Sequence, residues 1–289
     1  ARLLCGDPVT FEKMRKQTGP ETIWPCTKFY QAKFDEQTNR HQKYNDSAYG
    51  LEPNLKEGIG GLRDIQTVIW VAKRHLEVDD LFQLQTRELL TKEEFDDLLE
   101  GRNFLWQVRF GLHIVAGRRE DRLLFDHQKK LATLLGYDDD EQSLGVEKLM
   151  QTYFRTVKEI SRLNEMLLQY FHEEILFPDQ RAKATKINSR FQIRCGFIET
   201  TTPNIFKRHP FALLEIFLHT LQTDEVKGIS ANTIRQIRAH RHLIDEKCRH
   251  DIRSTSLFME ILRQPTGVSH ELIRMHNYGV LSAYIPDFN

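Results

Sequence analysis

Apolar residues recur at helical spacing through most of this chain. Leu62, Ile65, Ile69, Ala72 and Leu76 mark one face of a helix, and Val68, Trp70 and Val71 widen that face until it reads as mostly buried. Before it, a short helix is predicted over Phe11–Gln17 and a longer one over about 23–44, with Pro25 in its first turn, where proline is tolerated. After it, a helix is predicted over 79–90. Thr91 then caps a further helix, with Glu94 in the reciprocal position, and that helix runs to about Val115. A short helix over 128–136 stops at Gly136. The longest spans 145–176. Its residues Met150, Tyr153, Val157, Ile160, Asn164, Leu167 and Phe171 alternate steps of three and four, a bundle seam with one polar member.

Period two appears once. Phe191 and Ile193 alternate with Gln192 and Arg194, Cys195-Gly196 interrupts, and Phe197 to Thr201 returns. This reads as a hairpin, with Gly196 supplying a positive φ to the turn. Helices follow from Pro210, from a Ser230 cap through Ile244, near 254–263, and over 270–277 with Ser269 as cap and Gly279 as stop. Residues 177–187 are polar, basic and aperiodic, and read as a linker. The expected fold is mainly α: a helical bundle with one short β-hairpin, split into two helical subdomains.

The stretch 51–66 carries the densest candidate chemistry. Pro53 restricts the chain, glycines stand at 58, 60 and 61, and Arg63 and Asp64 fall in the first turn of the helix. A helix N-terminus carries partial positive charge and free N–H groups that suit phosphate, and Lys56 adds a point charge. The spacing is neither a P-loop nor a dinucleotide fingerprint, since position 63 is Arg where a third glycine would stand. The structural alternative is a glycine turn that lets the helix pack closely, with Arg63 in an ion pair. The residues leave both open.

Composition narrows the classes. Lys plus Arg is 41 and Asp plus Glu is 41, so the net charge is zero. That argues against a general nucleic-acid or membrane-surface binder. No apolar run reaches the length of a membrane span. The four cysteines are dispersed without a C-x-x-C pair, so no zinc or disulfide framework is expected and the cytoplasm is the natural compartment. The chain opens on Ala1 rather than Met, which reads as a fragment.

The string PNLKEGIGGLRDIQ at 53–66, with IWVAKRHL at 69–76, resembles the signature of the bifunctional uridylyltransferase/uridylyl-removing enzymes that modify the PII nitrogen-regulatory protein. ARLLCGD at the start of the chain, RREDRLLFDHQ at 118–128, INSRFQIR at 187–194, ALLEIF at 212–217 and MHNYGVLSAYIPDF at 275–288 extend the resemblance from end to end. Ile59 departs from the family's usual proline. The resemblance implies magnesium-dependent transfer of UMP from UTP to a PII tyrosine, and hydrolytic removal, with PII and UTP as partners. It implies nucleotide contact by Lys56, Gly58, Gly60, Gly61, Arg63 and Asp64, with Arg118, Asp121 and Arg122 at the periphery of the active site.

The family's catalytic motifs are not expected within this chain. Its transferase site uses Gly-Ser and a strand-borne Asp-x-Asp. No Gly-Ser is present, and Asp138 to Asp140 lies in an acidic turn. The hydrolase needs an HD constellation; His250-Asp251, flanked by Arg249 and Arg253, reads as a polar interhelical turn. No metal ligands are therefore assigned. The expected organisation is a remnant of the nucleotidyltransferase domain with the glycine loop over 1–60, a helical bundle over 61–180, and a hairpin with a helical lead-in to the hydrolase over 181–289. The fragment is expected to be inactive alone. The rival reading is a non-catalytic helical module that docks PII or couples two catalytic domains.

Overall fold

The computed structural model describes residues 3–19, 22–43, 50–78, 81–177, 183–223 and 225–288. The chain divides into two compact units, Ala1–Phe171 and His172–Asn289.

The first unit is helical. Helix α1 (Pro8–Gln17) starts three residues earlier than the apolar pattern suggests, because Asp7 caps it and Pro8 fits its first turn. Next come α2 (Cys26–Lys43), α3 (Leu62–His75) and α4 (Phe82–Thr86). The expected helix over 79–90 is reduced to α4. Residues 79 and 80 lie outside the described residues, and Glu88 takes a positive φ of 58° just beyond α4. Helix α5 (Lys92–Ala116) has the Thr91–Glu94 capping box read from the sequence, and Gly117 ends it at φ 63°. Helix α6 (Phe125–Leu134) packs on α5, and α7 (Gly145–Leu176) supplies the long seam. Tyr153, Val157, Ile160, Leu167 and Phe171 are all buried, and so is Asn164. Tyr30 of α2 is fully buried and donates its hydroxyl to the Leu168 carbonyl of α7 at 3.0 Å. Gly101 of α5 admits the side chains of Ile160 and Thr156.

The second unit holds the sheet. Strands β1 (Thr185–Lys186), β2 (Phe191–Arg194), β3 (Phe197–Thr200) and β4 (Gly228–Ile229) pair in that order, antiparallel except for the parallel β3–β4 pair. The hairpin read from the sequence is β2–β3. The two outer strands are two residues each, too short to show a period. Of the expected linker, 178–182 lie outside the described residues, and Thr185–Lys186 form β1. In the turn both Cys195 (φ 52°) and Gly196 (φ 86°) are left-handed, the pair of signs a type I′ turn requires.

Helix α8 (Ile205–Arg208) precedes α9 (Ala212–Gln222), which is buried from Ala212 to Leu218. Next are α10 (Ala231–His240), capped by Ser230, then α11 (Glu246–His250), α12 (Ile252–Leu262), α13 (Val268–Asn277) and α14 (Val280–Tyr284). Gly267 at φ 79°, not Ser269, stands at the N-cap of α13. Helices α12 and α13 pack on α9, and Phe191, Phe206, Phe217, Met275 and Tyr278 centre the core. Glu215 of α9 is a charged group buried beside it. Arg190 grips it through Nε and Nη2, both at 2.6 Å, and Asn188 adds a bond at 3.0 Å. Burial alone pushes this carboxyl up, but the hydrogen bonds and charges of Arg190 and His219 outweigh it and hold the pKa at about 2.

Candidate functional site

The glycine loop is built against α7. Gly60 has φ 69°, and a Cβ there would fall inside the Val157 carbonyl oxygen and 2.8 Å from its carbon. A Cβ at Gly58 would stand 2.6 Å from the Asn54 carbonyl oxygen, and one at Gly61 would meet the Gly58 oxygen at 2.8 Å and the Leu55 oxygen at 2.9 Å. The glycines therefore permit a close approach of backbone to backbone.

The same folding back occupies the backbone donors. Leu62 N–H donates to Leu55 C=O at 3.1 Å, Arg63 N–H to Lys56 C=O at 2.9 Å, and Asp64 N–H to Gly61 C=O at 3.0 Å. The N–H groups read from the sequence as free for phosphate are thus bonded to the loop itself. The loop's outer face is made of side chains. Glu57 pairs with Lys56 and with Arg63, each at 3.2 Å. All three side chains are about a quarter exposed, and Arg63 also lies over Trp70, 5.5 Å from the ring centre. Burial raises the Glu57 carboxyl, but Arg63 and Lys56 more than reverse that and leave it below its ordinary value.

Asp64 faces inward and is fully buried. One oxygen accepts from Arg40 at 2.6 Å and from His41 at 3.0 Å; the other accepts from the Gly60 N–H at 2.7 Å. Arg40 also donates to the Glu57 carbonyl at 2.9 Å. Arg40 and His41 lie in the last turn of α2, and nothing in the spacing of the sequence connects them to Asp64.

The two candidate segments meet. Asn54 and Arg122 form an antiparallel bridge, Leu55 N–H donates to Asp121 C=O, and Leu123 N–H donates to Pro53 C=O, both at 2.8 Å. Segment 118–128 is thereby drawn in rather than left as a free loop: Leu123 is fully buried, and α6 begins already at Phe125. Asp121 binds Arg109 of α5 at 2.6 Å, with Arg119 at 3.7 Å. Burial pushes its carboxyl up, and Arg109, Arg119 and Lys56 together draw it below its usual range. Arg118 and Arg122 stay largely exposed, paired with Glu120 at 3.2 Å and Glu52 at 3.5 Å. The structure thus joins Lys56, Arg63, Asp121 and Arg122 in one basic, carboxylate-laced face, adds Glu57 and Arg109 to it, and sets Arg40 and His41 beneath it on Asp64.

His250 and Asp251 are engaged elsewhere. Asp251 caps α12 and binds Arg253 at 2.6 Å, while His250 Nδ1 contacts its own helix at the Glu246 carbonyl. Among the described residues no group of three or more His, Cys, Asp or Glu is placed to hold a metal, and no helix is long and apolar enough to cross a membrane.

Two family models match. GlnD PII-uridylyltransferase covers residues 28–168, and the uridylyltransferase GlnD third domain covers 191–284. The bifunctional uridylyltransferase/uridylyl-removing enzyme of Nitrosococcus oceani is 52% identical over 288 residues, all of this chain and 32% of that protein. Those of Pseudomonas aeruginosa and Pseudomonas putida are 49% and 46% identical, over 99% and 100% of this chain and 32% of each protein. No solved structure matches. The chain spans about a third of the length of these relatives. The first match falls within the first unit and the second within the second, and the chain belongs to the family of the bifunctional uridylyltransferase/uridylyl-removing enzymes.

Proposed function

We propose that this chain is the central part of an enzyme that transfers UMP from UTP to a tyrosine of the PII protein and removes it by hydrolysis, in the cytoplasm, and that the chain is inactive alone. One observation carries its share in the transfer: the bridge between Asn54 and Arg122, which brings the glycine loop and the 117–124 segment onto one face. On that face Lys56 and Arg63 are the phosphate contacts. A nucleotide phosphate exchanges for Glu57, which already sits between the two cations. Gly58, Gly60 and Gly61 set the loop's path, and Asp64 holds its underside. Arg118, Asp121 and Arg122 line the periphery.

Magnesium is the metal of the proposed reaction. The residues here do not fit a magnesium centre, because both oxygens of Asp64 are already bonded and, among the described residues, no group of three or more His, Cys, Asp or Glu is placed to hold a metal. No step is derived through the metal. Incubation of the chain with purified PII, labelled UTP and magnesium is expected to leave PII unlabelled; robust labelling would overturn the inactivity. Hydrogen exchange with and without UTP tests the face, with slower exchange over 52–66 expected.

A second reading is a non-catalytic module that docks PII or couples catalytic domains. It is favoured by the loop's own carbonyls occupying the first N–H groups of α3. PII retained by the chain without nucleotide, and no UTP-dependent protection of 52–66, would select it.

A further inference from the structure

Helix α5 carries an apolar stripe that the described residues leave more than half exposed. Trp106 is 51% exposed, Phe110 69% and Ile114 57%, at steps of four along one side of the helix. Together they leave roughly 350 Å² of apolar surface in water, taking about 150–250 Å² for a large side chain. That is in the range of the largest patch on a typical monomer, where such patches mark interaction sites.

The surroundings are basic. Arg102 lies over the Trp106 ring at 4.7 Å, and none of the described carboxylates forms an ion pair with it. Beyond the other end of the stripe, Arg118 and Arg119 are each 72% exposed. Over 102–122 five arginines stand against two carboxylates, a net +3 in a chain whose total is zero.

Two magnitudes select the occupant. A patch of this size is about half of the roughly 800 Å² per partner that a stable bimolecular interface buries. A covalently linked domain needs less, since linkage supplies an effective concentration in the millimolar range. A second copy is disfavoured because a two-fold contact would set +3 against +3. The family's proteins run about three times this length, so linked domains exist there.

We infer that the Trp106–Phe110–Ile114 stripe docks an acidic, apolar-ridged face of another domain of the same polypeptide. Hydroxyl-radical footprinting compares the 289-residue chain with the full-length polypeptide that contains it. Trp106 and Phe110 are expected to oxidise at least five-fold more slowly in the full-length protein, and raising salt from 0.05 to 0.5 M is expected to reduce that protection. Phe110→Glu in the full-length protein is expected to return Trp106 to its rate in the shorter chain; because Phe110 is outside the core, amide exchange along α5 is expected to stay unchanged. A photo-crosslinking residue at Gln107 is expected to join a segment rich in Asp and Glu within the same polypeptide. Equal oxidation rates would overturn the inference. So would crosslinks to a separate protein, crosslinks to a segment without acidic excess, or protection of the shorter chain that grows with its concentration.

Discussion

Replacing Gly60 by alanine adds one methyl group at a point where the glycine loop meets the α7 backbone directly. Two penalties combine. At φ 69° an L-residue gives up about 1–2 kcal/mol. The new Cβ also overlaps the Val157 carbonyl, which is backbone in the middle of a 32-residue helix and cannot rotate aside. Overpacking of this kind costs about 1–3 kcal/mol. The expected loss is therefore about 3 kcal/mol, or roughly 6–12 °C in the melting temperature of a unit this size. Two other glycines separate the penalties. Gly117 has φ 63° with open space around it, so Gly117→Ala isolates the backbone term, about 1 kcal/mol. Gly50 has neither a positive φ nor a neighbour within 4 Å, so Gly50→Ala is expected to change stability by less than about 0.5 kcal/mol. The three tryptophans, Trp24, Trp70 and Trp106, all lie in the first unit, so thermal melts followed by tryptophan emission report on that unit alone. If Gly60→Ala melts no lower than Gly117→Ala, the loop is not seated on α7 as described.

Asp64→Asn removes the charge that Arg40 and His41 share; leaving the Arg40 guanidinium without its buried partner is expected to lower stability by about 3 kcal/mol in urea titrations read by tryptophan emission. Glu215 contributes in the opposite compartment of the pH scale from a histidine: its folded pKa is depressed to about 2, so its contribution is present above its unfolded value near 4.5 and is lost as pH falls toward 2. The size is on the order of 3 kcal/mol, and Glu215→Gln is expected to flatten the acid limb of stability between pH 5 and 2, measured by amide exchange in β2 and β3. Cys195→Asn, which relieves a non-glycine residue at φ 52° in a type I′ turn, is expected to stabilise the hairpin by roughly 0.5–1 kcal/mol; a loss on amide exchange would show that the cysteine has a packing role there.

Helices with a sustained period were legible because burial writes itself at every third and fourth residue; α3, α5 and α7 show this directly. The short elements were not. Strands β1 and β4 are two residues long, and α8 is four, so none repeats its period. The parallel partner of β3 comes from a segment about thirty residues on, which a local pattern does not encode. The site divides the same way. Lys56, Arg63 and the glycines were visible as a motif, and the resemblance added Arg118, Asp121 and Arg122. Nothing in the sequence singled out Arg40, His41 and Arg109 as partners of the site, because an ion pair between distant segments leaves no mark on the spacing of either. The glycines themselves looked like a cradle for an external anion. Their observed neighbours are main-chain oxygens of Asn54, Leu55, Gly58 and Val157, a role that composition does not distinguish from the first.

Asp64 fastens three things with one side chain: the Gly60 amide, and two side chains, Arg40 and His41, from the end of α2. Loosening any one of them weakens the hold on the others. Deuterium that enters at the Gly60 amide therefore times the detachment of α2 as much as the opening of the turn, and a molecule that stiffens either would be felt at both.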